Sequence, residues 1–158
     1  EDKPLLIRGT QTTPCPYIYL GPRENNIHVQ ITTYEQHNNP YVHNTTVRNF
    51  PLQKWVNLIV SVYGRTLDIY IDGKLDRSDV LPGVARPCLQ SGMAVTGDGG
   101  FNGWTSNIKY WSHALSPQEA YDVYVNGYGG SFIGNIFNKY RVKIAFLEDN
   151  HEEASFEI

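Results

Sequence analysis

Between Trp55 and Leu81 apolar and polar positions alternate with period two through three consecutive runs, the signature of three strands joined by two tight turns. Val56, Leu58, Val60 and Val62 share one parity, while Asn57 and Ser61 interrupt the other, so one face is dry and the opposite one mixed. Leu67, Ile69 and Ile71 repeat the pattern against Thr66, Asp68, Tyr70 and Asp72. Gly64-Arg65 closes the first hairpin. Asp72-Gly73 suits a two-residue turn with positive φ at both central positions. The stretch reads as a β-meander.

The remaining elements follow from the same alternation and from turn residues. Pro4 to Arg8 is a short strand, Gly9 to Pro16 a loop, and Tyr17 to Leu20 a second strand ended by Gly21-Pro22. Asn26 to Thr33 places Ile27, Val29 and Ile31 on one face and His28, Gln30 and Thr32 on the other, a half-buried antiparallel strand. Tyr34 to Asn44 is polar and contains proline, which predicts a long loop; Thr45 to Phe50 leads through Pro51 into the meander. Gly92 to Thr96 predicts a small strand, Gly97 to Gly100 a turn, and Gly103 to Trp111 a long strand. Ser116, Pro117 and Glu119 spell a helix N-cap, first position and capping-box carboxylate. The helix they open carries Ala120, Val123 and Tyr124 on one face, stops near Gly127, and is expected to lie as a lid on the sheet. Tyr140 to Leu147 predicts one more strand, expected either to pair at a sheet edge of this domain or a neighbour's or, the preferred reading, to complete the sandwich, before an acidic end from Glu148 to Ile158.

With 158 residues, 41% of them hydrophobic, the chain has room for one domain with a core and a tail. Thirteen per cent aromatic residues, with 11 Tyr against 1 Met, suits twisted sheets, and the predicted class is all-β. A net charge of −3 provides no basic footprint for nucleic acid. No stretch approaches the roughly 20 apolar residues of a membrane-spanning helix. A chain that starts at Glu1 without an initiator Met reads as a processed product or an excised piece. Cys15 and Cys88 are a pair that fits either one disulfide or two buried thiols.

The runs WVNLIVSVYGRTLDIYIDGKL at 55–75 and GFNGWTSNIKYWSHALSPQEAY at 100–121 resemble the laminin G type of concanavalin A-like jelly roll. The resemblance covers residues 4–127 and implies an antiparallel β-sandwich domain with one short helix over 1–127; residues 128–158 are then a C-terminal extension with one strand and an acidic end. The usual first strands before Pro4 are missing from the pattern, so a neighbouring segment or chain would supply them. The stretch GYGGSFIGNIFNKYRVK at 127–143 is similar to domains in virion proteins of large double-stranded DNA viruses. This implies a non-enzymatic structural or interaction module in a virion, among capsid proteins. The alternative is a glycan-binding module at an extracellular or cell surface, and a distant third is a glycoside hydrolase relative.

Each candidate site can be weighed against a plainer role. Jelly-roll glucanases related to this family carry paired Glu on one strand, and Asp68 and Asp72 stand on one face here. They are four positions apart, about 13 Å along a strand, against the roughly 5–5.5 Å of a retaining pair, so the hairpin role is preferred and no catalytic residue is assigned. The family often holds calcium at the sandwich rim, for which Asp98, between two glycines, is the best donor, with Asp72 and Asp79 as others; a solvated turn aspartate is the plain alternative, since calcium takes six to eight oxygens. No cofactor is otherwise expected. The five histidines have no zinc spacing, and His37 and His43 are expected to be exposed in the 34–44 loop. Phe101, Asn102, Trp104 and Tyr110, or Tyr34, His37, Asn38 and Tyr41, are aromatic and amide groups fit for a sugar, although burial in the sandwich is the expectation for Trp104 and Trp111. Asn44-Thr45-Thr46 is a sequon for N-linked glycan on the predicted loop.

Overall fold

The computed structural model describes residues 1–34, 40–88, 91–127, 143–148 and 151–157. Within them lie β1 (Lys3–Gly9), β2 (Pro14–Leu20), β3 (Ile27–Tyr34), β4 (Pro40–Val47), β5 (Leu58–Tyr63), β6 (Thr66–Ile71), β7 (Lys74–Val80), β8 (Val84–Ala85) and β9 (Met93–Val95). Helix α1 (Pro117–Val125) and strands β10 (Lys143–Glu148) and β11 (His151–Glu157) follow. The larger sheet runs β4-β3-β2-β1-β9, with β8 paired to the far end of β3; the meander forms a second sheet, β5-β6-β7. Every ladder is antiparallel. The all-β sandwich with one short helix is therefore the fold.

Parity decides which side chains meet. Register pairs Ile18 with Val29, Leu20 with Ile27 and Ile27 with Val47, which lines one face of the larger sheet with aliphatic groups. These pack with Leu67, Ile69, Leu81 and Phe50, and with the even-numbered Leu58, Val60 and Val62, in the main core. The odd face of the meander is covered too: Ile59 and Tyr70 form a second cluster with Leu115 and Ala120, joined by Trp111 and Val123. Sheet β5-β6-β7 is thus a middle layer between the larger sheet and helix α1. Ser61, the polar residue of that odd face, is kept satisfied there. Its hydroxyl accepts from Leu115 N at 3.0 Å and donates to Leu115 O at 3.4 Å.

The helix begins as its residues dictate. Ser116 Oγ accepts from Glu119 N, and the Glu119 carboxylate takes Ser116 N at 2.7 Å, a complete capping box. Ala120 is fully buried beneath it. The β6–β7 turn has the expected positive φ at both Asp72 (49°) and Gly73 (74°). It abuts the helix, because a Cβ at residue 73 would lie 3.0 Å from Tyr124 Cβ and 3.2 Å from Tyr121 Cα.

Several expectations are corrected. Pro40–Val47 is strand β4, not part of a loop, and it pairs with the whole of β3 from Ile27↔Val47 to Tyr34↔Pro40. As an edge strand it shows an exposed, polar outer side, and proline at its first position costs no ladder bond, which is why its sequence reads as loop. Gly103 to Trp111 forms no strand; Asn107 has φ 55°, and the stretch is exposed up to the half-buried Trp111. Lys143–Glu148 is a strand, but the acidic end supplies a second one: β10 pairs with β11 in a two-stranded sheet of its own rather than completing the sandwich. The adjacent segment closes the shorter loop and so the less costly one. Residues 128–142, including most of the virion-like stretch, lie outside the described residues.

Cys15 and Cys88 are joined by a disulfide, with Cα atoms 5.9 Å apart at a sequence separation of 73. It ties β2 to the segment after β8. Gly9 makes room for it: φ there is +91°, and a Cβ would stand 2.6 Å from Thr13 O and 3.1 Å from Cys88 Sγ. A closure of this length stabilises by about 4 kcal/mol in the chain-entropy account. Replacing both cysteines by serine is expected to cost about 2–4 kcal/mol in urea unfolding; an unchanged midpoint would show that the bridge contributes nothing to stability.

Candidate functional site

Asp68 and Asp72, the two carboxylates of the β6 stretch, occupy different settings. Asp68 lies within β6, whereas Asp72 belongs to the turn, where it accepts from Lys54 Nζ and Asn57 N, both at 2.9 Å. Its role is to hold the turn. Tyr70, on the Asp68 side of β6, has its hydroxyl pushed above its ordinary value by burial first and by the Asp68 carboxylate second.

Nor do the aspartates proposed as calcium donors converge. Asp98 sits at φ 49° in an exposed turn, with no ligand partner from Asp72 or Asp79. Among the described residues no group of three or more His, Cys, Asp or Glu is placed to hold a metal. Asp79 has a different occupation. Its carboxylate accepts from Thr45 Oγ1 at 2.6 Å and from Arg77 Nε at 3.1 Å, and Arg77 Nη1 donates to Thr46 O at 3.1 Å. This clasp joins β7 of the meander to β4 of the larger sheet at one edge of the sandwich. Sequence reading missed it because its partners are 34 residues apart and depend on β4 being a strand.

His43 is correspondingly not an exposed loop residue. It lies on β4 with Nε2 buried, 3.7 Å from Asp79 Oδ2 and without a hydrogen bond among the described residues. Asn44 is exposed on the same strand, opposite Gln30, so the sequon sits on an edge strand rather than on a loop. His28, on the outward face, accepts or shares a proton with Thr46 Oγ1 at 2.9 Å and stacks on Tyr19 with centroids 4.9 Å apart.

The aromatic candidates separate into two groups. Phe101 turns inward and packs against the main core, while Asn102 is exposed. Trp104 is 85% exposed, against the expectation of burial, and Tyr110 is 73% exposed. The absence of strand pairing in 103–111 explains this, since no sheet face covers the indole. Tyr110 lies beside Arg8, whose guanidinium stands 5.9 Å from the ring centroid. Tyr34 and Tyr41 are at the ends of β3 and β4, and His37 and Asn38 lie outside the described residues.

A groove of about 390 Å³ separates the segment before the helix from α1, lined by Lys109, Trp111, His113, Leu115, Glu119, Asp122, Val123 and Asn126. Trp111, Leu115 and Val123 give it an apolar floor continuous with the second cluster. Glu119, Asp122 and Asn126 follow at helical spacing as a polar rim. The Glu119 carboxyl is held below its ordinary value by the Ser116 backbone N–H first, then by Ser116 Oγ and His113, whose Nε2 is 3.5 Å away. The i, i+3, i+7 run of polar groups was the sequence signal for this rim, although the facing wall could not be read.

The Asp79 clasp has a pH signature. Desolvation raises its pKa, but hydrogen bonds from Thr45 and Arg77 and the charge of Arg77 outweigh it, and the carboxyl titrates below its ordinary 3.8. The stability it contributes is therefore complete above that ordinary value and is lost as pH falls through the lower folded one. Asp79→Asn is expected to cost about 1–3 kcal/mol at neutral pH, with the difference from the wild type vanishing in acid. Denaturant unfolding across pH checks this; a difference that stayed constant into acid would refute it.

Comparison with solved structures finds an S-layer domain-containing protein from Clostridium thermocellum, 13% identical, with a TM-score of 0.41 over 78% of this chain. The match spans 63% of that structure's chain. A search of curated proteins finds no match. A laminin G family model, described as the concanavalin A-like lectin/glucanases superfamily, matches residues 1–120. Its two-sheet antiparallel architecture agrees with that assignment. The chain belongs to the concanavalin A-like lectin/glucanase superfamily.

Proposed function

We propose that the chain is a non-catalytic interaction module that presents its surface to other components of an assembly, in its specific form a capsid-associated protein of a large DNA virus particle. One observation carries this reading. Trp104, Ile108 and Tyr110, within seven residues of one unpaired segment, are 85%, 47% and 73% exposed. Several large apolar groups left exposed along one short segment suit an interaction surface. The resemblance of residues 127–143 to virion proteins supports the viral setting. No metal or cofactor enters the proposal, and neither nucleic acid nor a membrane is a proposed partner. No helix among the described residues is long and apolar enough to cross a membrane.

A lectin-like role is the second reading, favoured by the exposed indole of Trp104 two residues from the exposed amide of Asn102. Hydrolysis is the least supported, because Asp72 is committed to its turn.

Mixing the purified chain with the capsid proteins of the particle and following association by sedimentation tests the assembly role. A Trp104→Ala, Tyr110→Ala double variant is expected to bind at least about tenfold more weakly, the loss of about 1.4 kcal/mol or more at an aromatic anchor. Equal binding by the variant and the wild type would sink the proposal. β-Glucan should remain uncleaved by the wild type and by Asp68→Asn alike.

A further inference from the structure

We infer that Asn44 is a modification site, the acceptor of an N-linked oligosaccharide, and that the transfer precedes the docking of β4 onto its sheet. The inference goes beyond the assembly role and does not depend on it. Asn44-Thr45-Thr46 is the one place in the chain where an asparagine is followed, two residues on, by serine or threonine. The fold adds what the motif lacks. Strand parity turns Thr45 and Val47 into the core, each 2% exposed, and leaves Asn44 exposed between them. The Asn44 side chain makes no hydrogen bond among the described residues, so its amide is free to carry a substituent. β4 is also the outer strand of the larger sheet, and a branched substituent there meets solvent rather than a neighbouring strand. The Cys15–Cys88 disulfide is an independent sign of the oxidising compartments in which such transfer takes place.

The co-reactant is an oligosaccharide carried on a lipid diphosphate. Asn44 Nδ2 attacks its anomeric carbon; the new N–C bond replaces the C–O bond to the diphosphate, which leaves with the electron pair, and one amide proton passes to a base of the transferase. The folded strand is a poor acceptor, and this sets the order of events. Asn44 pairs with Gln30 in the β3–β4 ladder, Thr46 Oγ1 lies 2.9 Å from His28 Nδ1, and Thr45 Oγ1 donates to Asp79 at 2.6 Å. A transferase that grips the Asn-x-Thr backbone and hydroxyl has to peel β4 away first, against its local unfolding free energy. Once in place, the glycan stands over the outer edge of β4 and screens its unpaired backbone groups from another chain's strand.

The site is tested on the chain as its own source makes it, by peptide mass before and after peptide-N-glycosidase in heavy-oxygen water. The expected result is a glycan on the peptide that contains Asn44, and its conversion to labelled aspartate on release. An unmodified Asn44 in that chain would overturn the site. The order of events is tested by translating the full chain, with a cleavable leader ahead of Glu1, into microsomes. Wild type and Thr45→Val, which keeps the sequon but loses the Asp79 bond, are expected to be modified, and Asn44→Gln and Thr46→Ala to stay bare. These outcomes do not require the variants to fold, since transfer comes first. The folded, oxidised chain offered to the same transferase is expected to react at least about tenfold more slowly than the reduced, unfolded one. Equal rates would overturn the order, and a glycan retained by Asn44→Gln would overturn the assignment.

Discussion

The burial of strands β5 and β6 on both faces is the constraint on which the rest of the structure depends. A three-stranded antiparallel sheet covered on one side alone can show water a polar face, yet here Leu67 and Ile69 are buried on one side and Ile59 and Tyr70 on the other. Neither cover suffices by itself. The larger sheet satisfies the even parity of β5 and the helix satisfies the odd, so the lid is an integral layer of the core. At about 1.5–3 kcal/mol for each fully buried large side chain, these clusters outweigh any single polar contact in the molecule.

The polar and covalent links act at the margins of that core and set its geometry. The Ser61 hydroxyl anchors the chain just before the helix, the Thr45–Asp79–Arg77 clasp holds β4 against β7, and the Cys15–Cys88 bridge ties β2 to the stretch beyond β8. Each spans elements distant in sequence. The Ser61 and Asp79 links join different layers, whereas the disulfide joins two parts of the larger sheet.

Outside the packed layers, the surface is set by what is left uncovered. Residues 103–111 have a strand's composition but no ladder, and their aromatic groups meet solvent. Trp111, at the end of the same segment, is gripped by the second cluster. Two indoles seven residues apart therefore differ in kind: one is a free surface group, the other a fixed wall of a groove. A fold shared by lectins and hydrolases does not select between such uses; the placement of individual side chains does.

Local chemistry in the sequence determined the hairpin at Asp72-Gly73, the capped helix from Ser116 and the inward parity of Ile27, Val29 and Ile31, because turn dihedrals, capping bonds and period-two alternation involve residues close along the chain. The tertiary structure alone decided that Pro40–Val47 is a strand, that Trp104 is exposed, that His43 and Asp79 face one another, and that Glu119, Asp122 and Asn126 look across at Trp111. Those outcomes depend on whether a distant partner is present to accept a ladder bond, cover a ring or share a proton. An edge strand and a loop, or a buried and an exposed indole, can be written with the same residues, and only the neighbour brought up by folding tells them apart.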